Sequence, residues 1–348
     1  MPHLDALAWH RHEMLFGFVG AAIAGFILTA VPNWTGRLPI AGWPLAFLAA
    51  GWLAARFLPL AGVGTSVLYL VFDAGFYVVL SALLMREILL AKNRNMPVAI
   101  LILLFGIADG LDLAANYGWL PDPAVAVRCG LALVVMLIGL IGGRITPSFT
   151  RNWMMKAGIR DGLPAQPDRF DRLVLLMTAA ALGTFIVLPD TRLTGTGLLL
   201  AALFQCVRLA RWRGWRTLGD PLVAILHVGY GWVPVGLALL GLAQFVGDIP
   251  VSAAIHALTA GAMATMIMAV MSRATLGHTG RELRADMLTV AAYVAISIAA
   301  VVRVAAPIGL GDYTMMMRVS GLFWIGAFGL FLLRYGPMLV AARVDGRP

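Results

Sequence analysis

Six histidines stand out in a chain otherwise poor in side chains able to do chemistry: His3, His10, His12, His227, His256 and His278. Neutral imidazole is a common metal ligand. His10 and His12 sit beside Glu13 in the run Trp9-His10-Arg11-His12-Glu13-Met14-Leu15-Phe16-Gly17, at the mouth of a long apolar stretch. Ionisable groups at the entry to a membrane span are costly unless paired, liganded or wet. This stretch is therefore the first place to expect chemistry. His10 and His12 are two residues apart and do not share a helix face, so both reach one ion only if His10 precedes the first turn. Glu13 is a candidate outer partner orienting His12. Met263 follows His256 by seven residues and shares its face, with Met266, Met268 and Met271 beyond. Thioethers suit Cu(I), although filling core gaps is their ordinary work. Tyr230 lies three residues after His227, in reach of a ligand held there. Asp109 and Asp112 near the end of one span, Arg128 on the next and Asp73 in mid-span make either an intramembrane ion pair or a proton path. Cys129 and Cys206, on different spans, are expected to be unpaired, small buried hydrophobes.

The elements that position these residues are membrane spans. Of 348 residues, 61% are hydrophobic and 12% charged, with a mean hydropathy of +0.87; soluble domains run at roughly 45–50% and about 25%. The apolar runs suit helices of about 20 residues, not the roughly 9–11 alternating residues of a barrel strand. The first run is too long, and its flank too weakly basic, for a cleaved signal peptide. The expected fold is all-α and polytopic: one domain of about eleven transmembrane helices. They fall near 12–31, 44–60, 63–86, 97–115, 124–143, 172–188, 195–210, 220–245, 251–272, 286–306 and 315–340. The net charge of +9 does not imply a nucleic-acid partner, because Lys and Arg gather in short connections. Those connections hold Arg86, Lys92 and Arg94; Arg144 to Arg169; Arg208 to Arg216; and Arg273, Arg281 and Arg284, with Arg343 and Arg347 in the tail. The alternate connections carry far fewer, with Asp122, Asp190, Arg192, Asp248 and Asp312. The positive-inside rule then places the N-terminus outside and the C-terminus in the cytoplasm. It places residues 143–171, with Pro147, Pro164 and Pro167, in an irregular cytoplasmic loop. In this arrangement His12 and His256 share an outer level, and His227 and His278 lie toward the inner one. His278, in Gly277-His278-Thr279-Gly280, could equally be a solvated or capping residue, and His227 a structural one. Gly17, Gly20, Ala21 and Gly25 give the first span a small-residue surface for close helix contact.

Several blocks together resemble the NnrS family. They are the Trp9–Phe18 block, Ile23-Ala24-Gly25-Phe26, Leu28-Thr29-Ala30-Val31-Pro32-Asn33-Trp34-Thr35-Gly36, and Gly142-Gly143-Arg144-Ile145 with Pro147, Phe149 and Thr150. They continue in Leu226-His227-Val228-Gly229-Tyr230-Gly231-Trp232, in His256-Ala257-Leu258-Thr259 with Gly261, and in Arg273 with Thr275-Leu276-Gly277-His278-Thr279-Gly280-Arg281. The resemblance implies a multi-pass protein of the bacterial inner membrane that carries haem b and copper. It also implies a link to denitrification and to resistance against nitric oxide and nitrosative stress. It makes His10, His12, His227, His256 and His278 the expected ligands, without dividing them between haem and copper. The family is expected to carry a further span ahead of the Trp-His-x-His-Glu block. Here eight residues precede Trp9, so that helix lies upstream or one wall of the outer site is missing.

Two other functions fit the same residues. A transporter of haem, copper or a small molecule would use Asp73, Asp109 and Asp112 for coupling. A membrane sensor or accessory protein would bind the cofactor without turnover. The sequence does not distinguish redox turnover of nitric oxide, or of iron-nitrosyl species derived from it, from binding. It names neither an electron donor nor an oligomeric state.

Overall fold

The computed structural model describes residues 5–62, 66–120 and 123–346. His3, Asp122 and Arg347 lie outside them. Among the described residues there are eleven long helices and no strand: α1 Ala6–Thr35, α2 Trp43–Phe57, α3 Val67–Leu90, α4 Met96–Asn116, α5 Ala124–Lys156, α6 Arg169–Val187, α7 Arg192–Ala210, α8 Pro221–Leu242, α9 Val251–His278, α10 Met287–Ile308 and α11 Tyr313–Val340. Ten are long and apolar enough to cross a bilayer, so this is a multi-pass membrane protein whose outer faces meet lipid. The exception is α2. At 15 residues and about 1.5 Å per residue it spans roughly 22 Å, short of a hydrocarbon core of about 30 Å.

Polar residues placed one step before the apolar runs start most of these helices. Asp5, Ser66, Thr191, Asp220, Asp286 and Asp312 each accept a backbone N–H of the first turn. Asp168 and Asp171 form a reciprocal box at the start of α6. Such caps satisfy donors that a helix cannot pair internally. Gly36 and Gly309, at φ 68° and 85°, close α1 and α10 in the left-handed region that glycine enters without strain.

Residues 143–156, expected to be irregular, are instead the last turns of α5. Pro147 is tolerated inside them. A wide π turn over Ile138–Gly142 precedes it, and buried backbone can be satisfied again by neighbouring helices. The connection to α6 shrinks to residues 157–168.

The chain, expected as one domain, divides into two compact units, Met1–Leu137 and Ile138–Pro348. In the first, Phe16, Tyr77 and Phe105 pack with ring centroids 5.0 and 5.2 Å apart. In the second, Trp212, Tyr230, Ile296, Phe331 and Tyr335 anchor the buried cluster. Lipid tails are as apolar as leucine, so close packing and interhelical hydrogen bonds hold such units together. The second unit shows this at Arg208, buried in α7. It donates to Asp171 at 2.8 Å, to the Gly139 carbonyl at 3.0 Å and to the Tyr230 hydroxyl at 2.8 Å.

Candidate metal centre

His12 is the buried residue at the heart of the first unit. It ends the first two turns of α1, and a π turn over Glu13–Val19 follows at once. Such turns recur at functional sites. Neighbouring helices take two carbonyls of this segment. Trp52 Nε1 donates to Gly17 O at 3.1 Å, and the Tyr77 hydroxyl donates to Phe16 O. A Cβ on Gly17 would stand 2.5 Å from Glu13 Oε2 and 2.6 Å from an Arg56 nitrogen, so the ends of these two side chains would have to shift to admit one.

Both nitrogens of His12 face carboxylates. Nδ1 lies 2.9 Å from Asp112 Oδ2, and Nε2 lies 2.8 Å from Asp73 Oδ2 and 3.5 Å from Asp109 Oδ1. His12, Asp73, Asp109 and Asp112 are 3%, 2%, 0% and 0% exposed. Two of the four, Asp112 and Asp73, are held from outside. Asp112 accepts from Arg11 Nη2 and from Asn116 Nδ2, each at 3.2 Å. The second oxygen of Asp73 accepts from Arg56, whose Nε also lies 3.1 Å from Glu13 Oε2. Tyr69 donates to Glu13 Oε1 at 3.3 Å. Asp109 is the exception: neither of its carboxylate oxygens has a hydrogen-bond partner. Among the described residues, His12, Asp73 and Asp109 form the one group of three or more such side chains whose donor atoms all fall within 4.8 Å of one another.

The structure places the predicted site residues unevenly. Asp73, Asp109, Asp112 and His12 meet at one site. Glu13 reaches it through Arg56, and the carboxylate on Nδ1 of His12 is that of Asp112. Arg128 is half-buried on α5, and His10 is exposed near the start of α1. Arg11, Arg56, Tyr69 and Asn116 are site residues that the sequence reading missed. Arg56 carried a visible signal, a guanidinium inside an otherwise apolar run.

His227, His256 and His278 belong to the second unit. His227 on α8 pairs through Nε2 with Thr150 Oγ1 at 2.7 Å. Its Nδ1 is buried without a hydrogen-bond partner and faces Gly214, where a Cβ would lie only 2.5 Å away. Tyr230 does not serve His227: its hydroxyl accepts from Arg208 and donates to Gln205 Oε1 at 2.9 Å. His256 is half-buried and, like His12, immediately precedes a π turn, here Ala257–Met263. Met263 is buried in that turn. His278 is exposed in the last turn of α9. Cys129 is half-buried, Cys206 is exposed, and both are unpaired.

The arrangement at His12 can hold a small cation, or a proton as an imidazolium among carboxylates. One imidazole and two carboxylates converge, and the remaining polar atoms of His12 and Asp73 are fixed by hydrogen bonds, as is usual around metal ligands. It does not fit a haem. Both imidazole nitrogens are within 2.9 Å of carboxylates, and the Phe16 ring stands 5.4 Å from the imidazole, leaving no face for a macrocycle.

No curated protein matches the chain. The family profile described as NnrS protein matches residues 1–343. That is nearly the whole chain, and with the multi-pass helical fold it places this protein in the NnrS family.

Proposed function

We propose that this chain is a metal-binding protein of the bacterial inner membrane that protects against nitric oxide and nitrosative stress, in the setting of denitrification. Family membership and the multi-pass fold support the setting. The observation that carries the metal reading is Asp109, fully buried with neither oxygen hydrogen-bonded, 3.5 Å from His12 Nε2. A buried carboxyl without hydrogen bonds is a large desolvation cost unless it takes up a proton or a cation offsets it, and the His12 nitrogen and Asp73 oxygen gathered beside it favour the cation. Nitric oxide is small, neutral and soluble in lipid, so a centre inside the membrane-spanning helices stands where it concentrates.

His12, Asp73 and Asp109 would hold the ion, and a bound ion would supply Lewis-acid or redox chemistry toward nitric oxide. The chain's own contribution is positioning: Asp112 orients the imidazole, and Arg56 orients Asp73. Copper and haem b are the cofactors the family resemblance implies. A haem does not fit at His12, whose two nitrogens both face carboxylates.

The test is growth. A denitrifying bacterium lacking its own member is complemented with this chain and challenged with a nitric oxide donor. Wild type restores growth, and Asp109→Asn at equal membrane abundance does not. Equal rescue by both overturns the proposal.

The burial of three aspartates inside spans also favours a second reading, a transporter coupled through Asp73, Asp109 and Asp112. That reading requires the metal to exchange rapidly across the membrane in vesicles. The metalloprotein reading requires it to stay bound.

A further inference from the structure

We propose that the site of the first unit takes a divalent cation of the iron(II), manganese(II) or zinc(II) class, bound by His12 Nε2, Asp73 Oδ2 and Asp109 Oδ1, and that it is distinct from any haem or copper(I) the protein carries. This rests on the metal reading above and narrows it.

Charge is the first argument. The interacting groups are four carboxyls, Glu13, Asp73, Asp109 and Asp112, and two guanidiniums, Arg11 and Arg56. Buried carboxylates gathered round one imidazole favour a cation among them, and a dication more than a monocation.

Geometry is the second. Ligand atoms about 2.1 Å from one ion, at tetrahedral or octahedral angles, stand roughly 3.0–3.4 Å from one another. His12 Nε2 lies 2.8 Å from Asp73 Oδ2 and 3.5 Å from Asp109 Oδ1, so small side-chain shifts admit an ion. The non-ligating atoms are already held: His12 Nδ1 by Asp112, and the second Asp73 oxygen by Arg56. The imidazole is thus fixed with Nε2 toward the two carboxylates, the support a ligating histidine ordinarily has.

Donor type is the third. One nitrogen and two carboxylate oxygens suit iron(II), manganese(II) and zinc(II), whereas copper(I) selects thiolate and thioether sulfur. The groups against His12 are carboxylates and the rings of Phe16 and Tyr69.

The test uses full-length protein in detergent, stripped with chelator and then equilibrated separately with Fe(II), Mn(II), Zn(II) and Cu(I). Metal is counted by mass spectrometry, and folding is checked by gel filtration and melting temperature. One Fe(II), Mn(II) or Zn(II) per chain is expected, weakened at least tenfold in Asp109→Asn. Asp112→Asn should weaken binding 10–100-fold as an orienting residue, and it guards against an Asp109 variant that fails to fold. Any haem spectrum should be unchanged in both. Stoichiometric copper(I) lost on Asp109→Asn would overturn the assigned class and leave the metal reading standing. No metal at this site under any condition, with the protein folded, would overturn both.

Discussion

Arg56 shows how much rests on single residues. It joins Asp73 and Glu13 and lies over the Trp52 ring at 5.4 Å. Removing one partner of a buried ion pair leaves the other charge uncompensated, at about 3–5 kcal/mol. Arg56→Met should therefore lower thermal stability in detergent by an amount of that order, and Arg56→Lys by less. A melting point unchanged by Arg56→Met would show that the pair is not formed. Much of this site was legible in residue types: His12, Asp73, Asp109 and Asp112 are conspicuous in apolar runs. Their meeting was not legible. Asp112 reaches Arg11 and His12, about a hundred positions away in sequence, and only helix packing decides that. The same limit sent Tyr230 toward His227 on sequence spacing, when its hydroxyl bonds Arg208 and Gln205 on α7.

Helix contacts set the next scale. A Cβ on Gly106 of α4 would stand 2.3 Å from the Cβ of Tyr77 on α3, and that atom cannot swing aside as a side-chain tip can. Gly106→Ala should force α3 and α4 apart at about 1–3 kcal/mol, read as a lower unfolding temperature. Since α3 carries Asp73 and α4 carries Asp109 and Asp112, weaker metal retention should accompany it. Outside the membrane, Asp168 caps α6. Its hydrogen bond from Arg211 holds its carboxyl well below the ordinary carboxylate range. A depressed carboxyl contributes stability above its unfolded pKa of about 3.9 and loses it as pH falls through the lower folded value. Melting temperature should thus be insensitive to this group from pH 5 to 8 and fall below about pH 4. Asp168→Asn should remove that part of the acid dependence, and an identical acid limb in both proteins would show that the cap is unimportant. Helix existence was legible from apolar run length. The extension of α5 through Pro147 was not, because proline reads as a breaker unless its surroundings are known. The shortness of α2 was obscured because the apolar run continues through Leu58, Pro59 and Leu60 beyond the last helical residue, Phe57.

For the molecule as a whole, charge distribution sets the expected topology. The positive-inside rule assigns the basic connections around residues 92–94, 157–168, 211–220 and 279–286 to the cytoplasm. Because α2 precedes all of them, they share a face whether or not it crosses. The side of the N-terminus alone depends on it: outside if α2 crosses, inside if it does not. Reporter fusions at the four connections should agree, and one at residue 5 then shows what α2 does. Disagreement among the four would contradict the topology. The central claim, a cation held by one imidazole and two carboxylates, is tested most directly by an X-ray absorption spectrum at the edge of the metal bound by the purified protein. Nitrogen and oxygen neighbours only are expected, at about 2.0–2.2 Å, with loss of that shell in Asp109→Asn. A sulfur shell near about 2.3 Å, or a shell unaltered by that substitution, would contradict it.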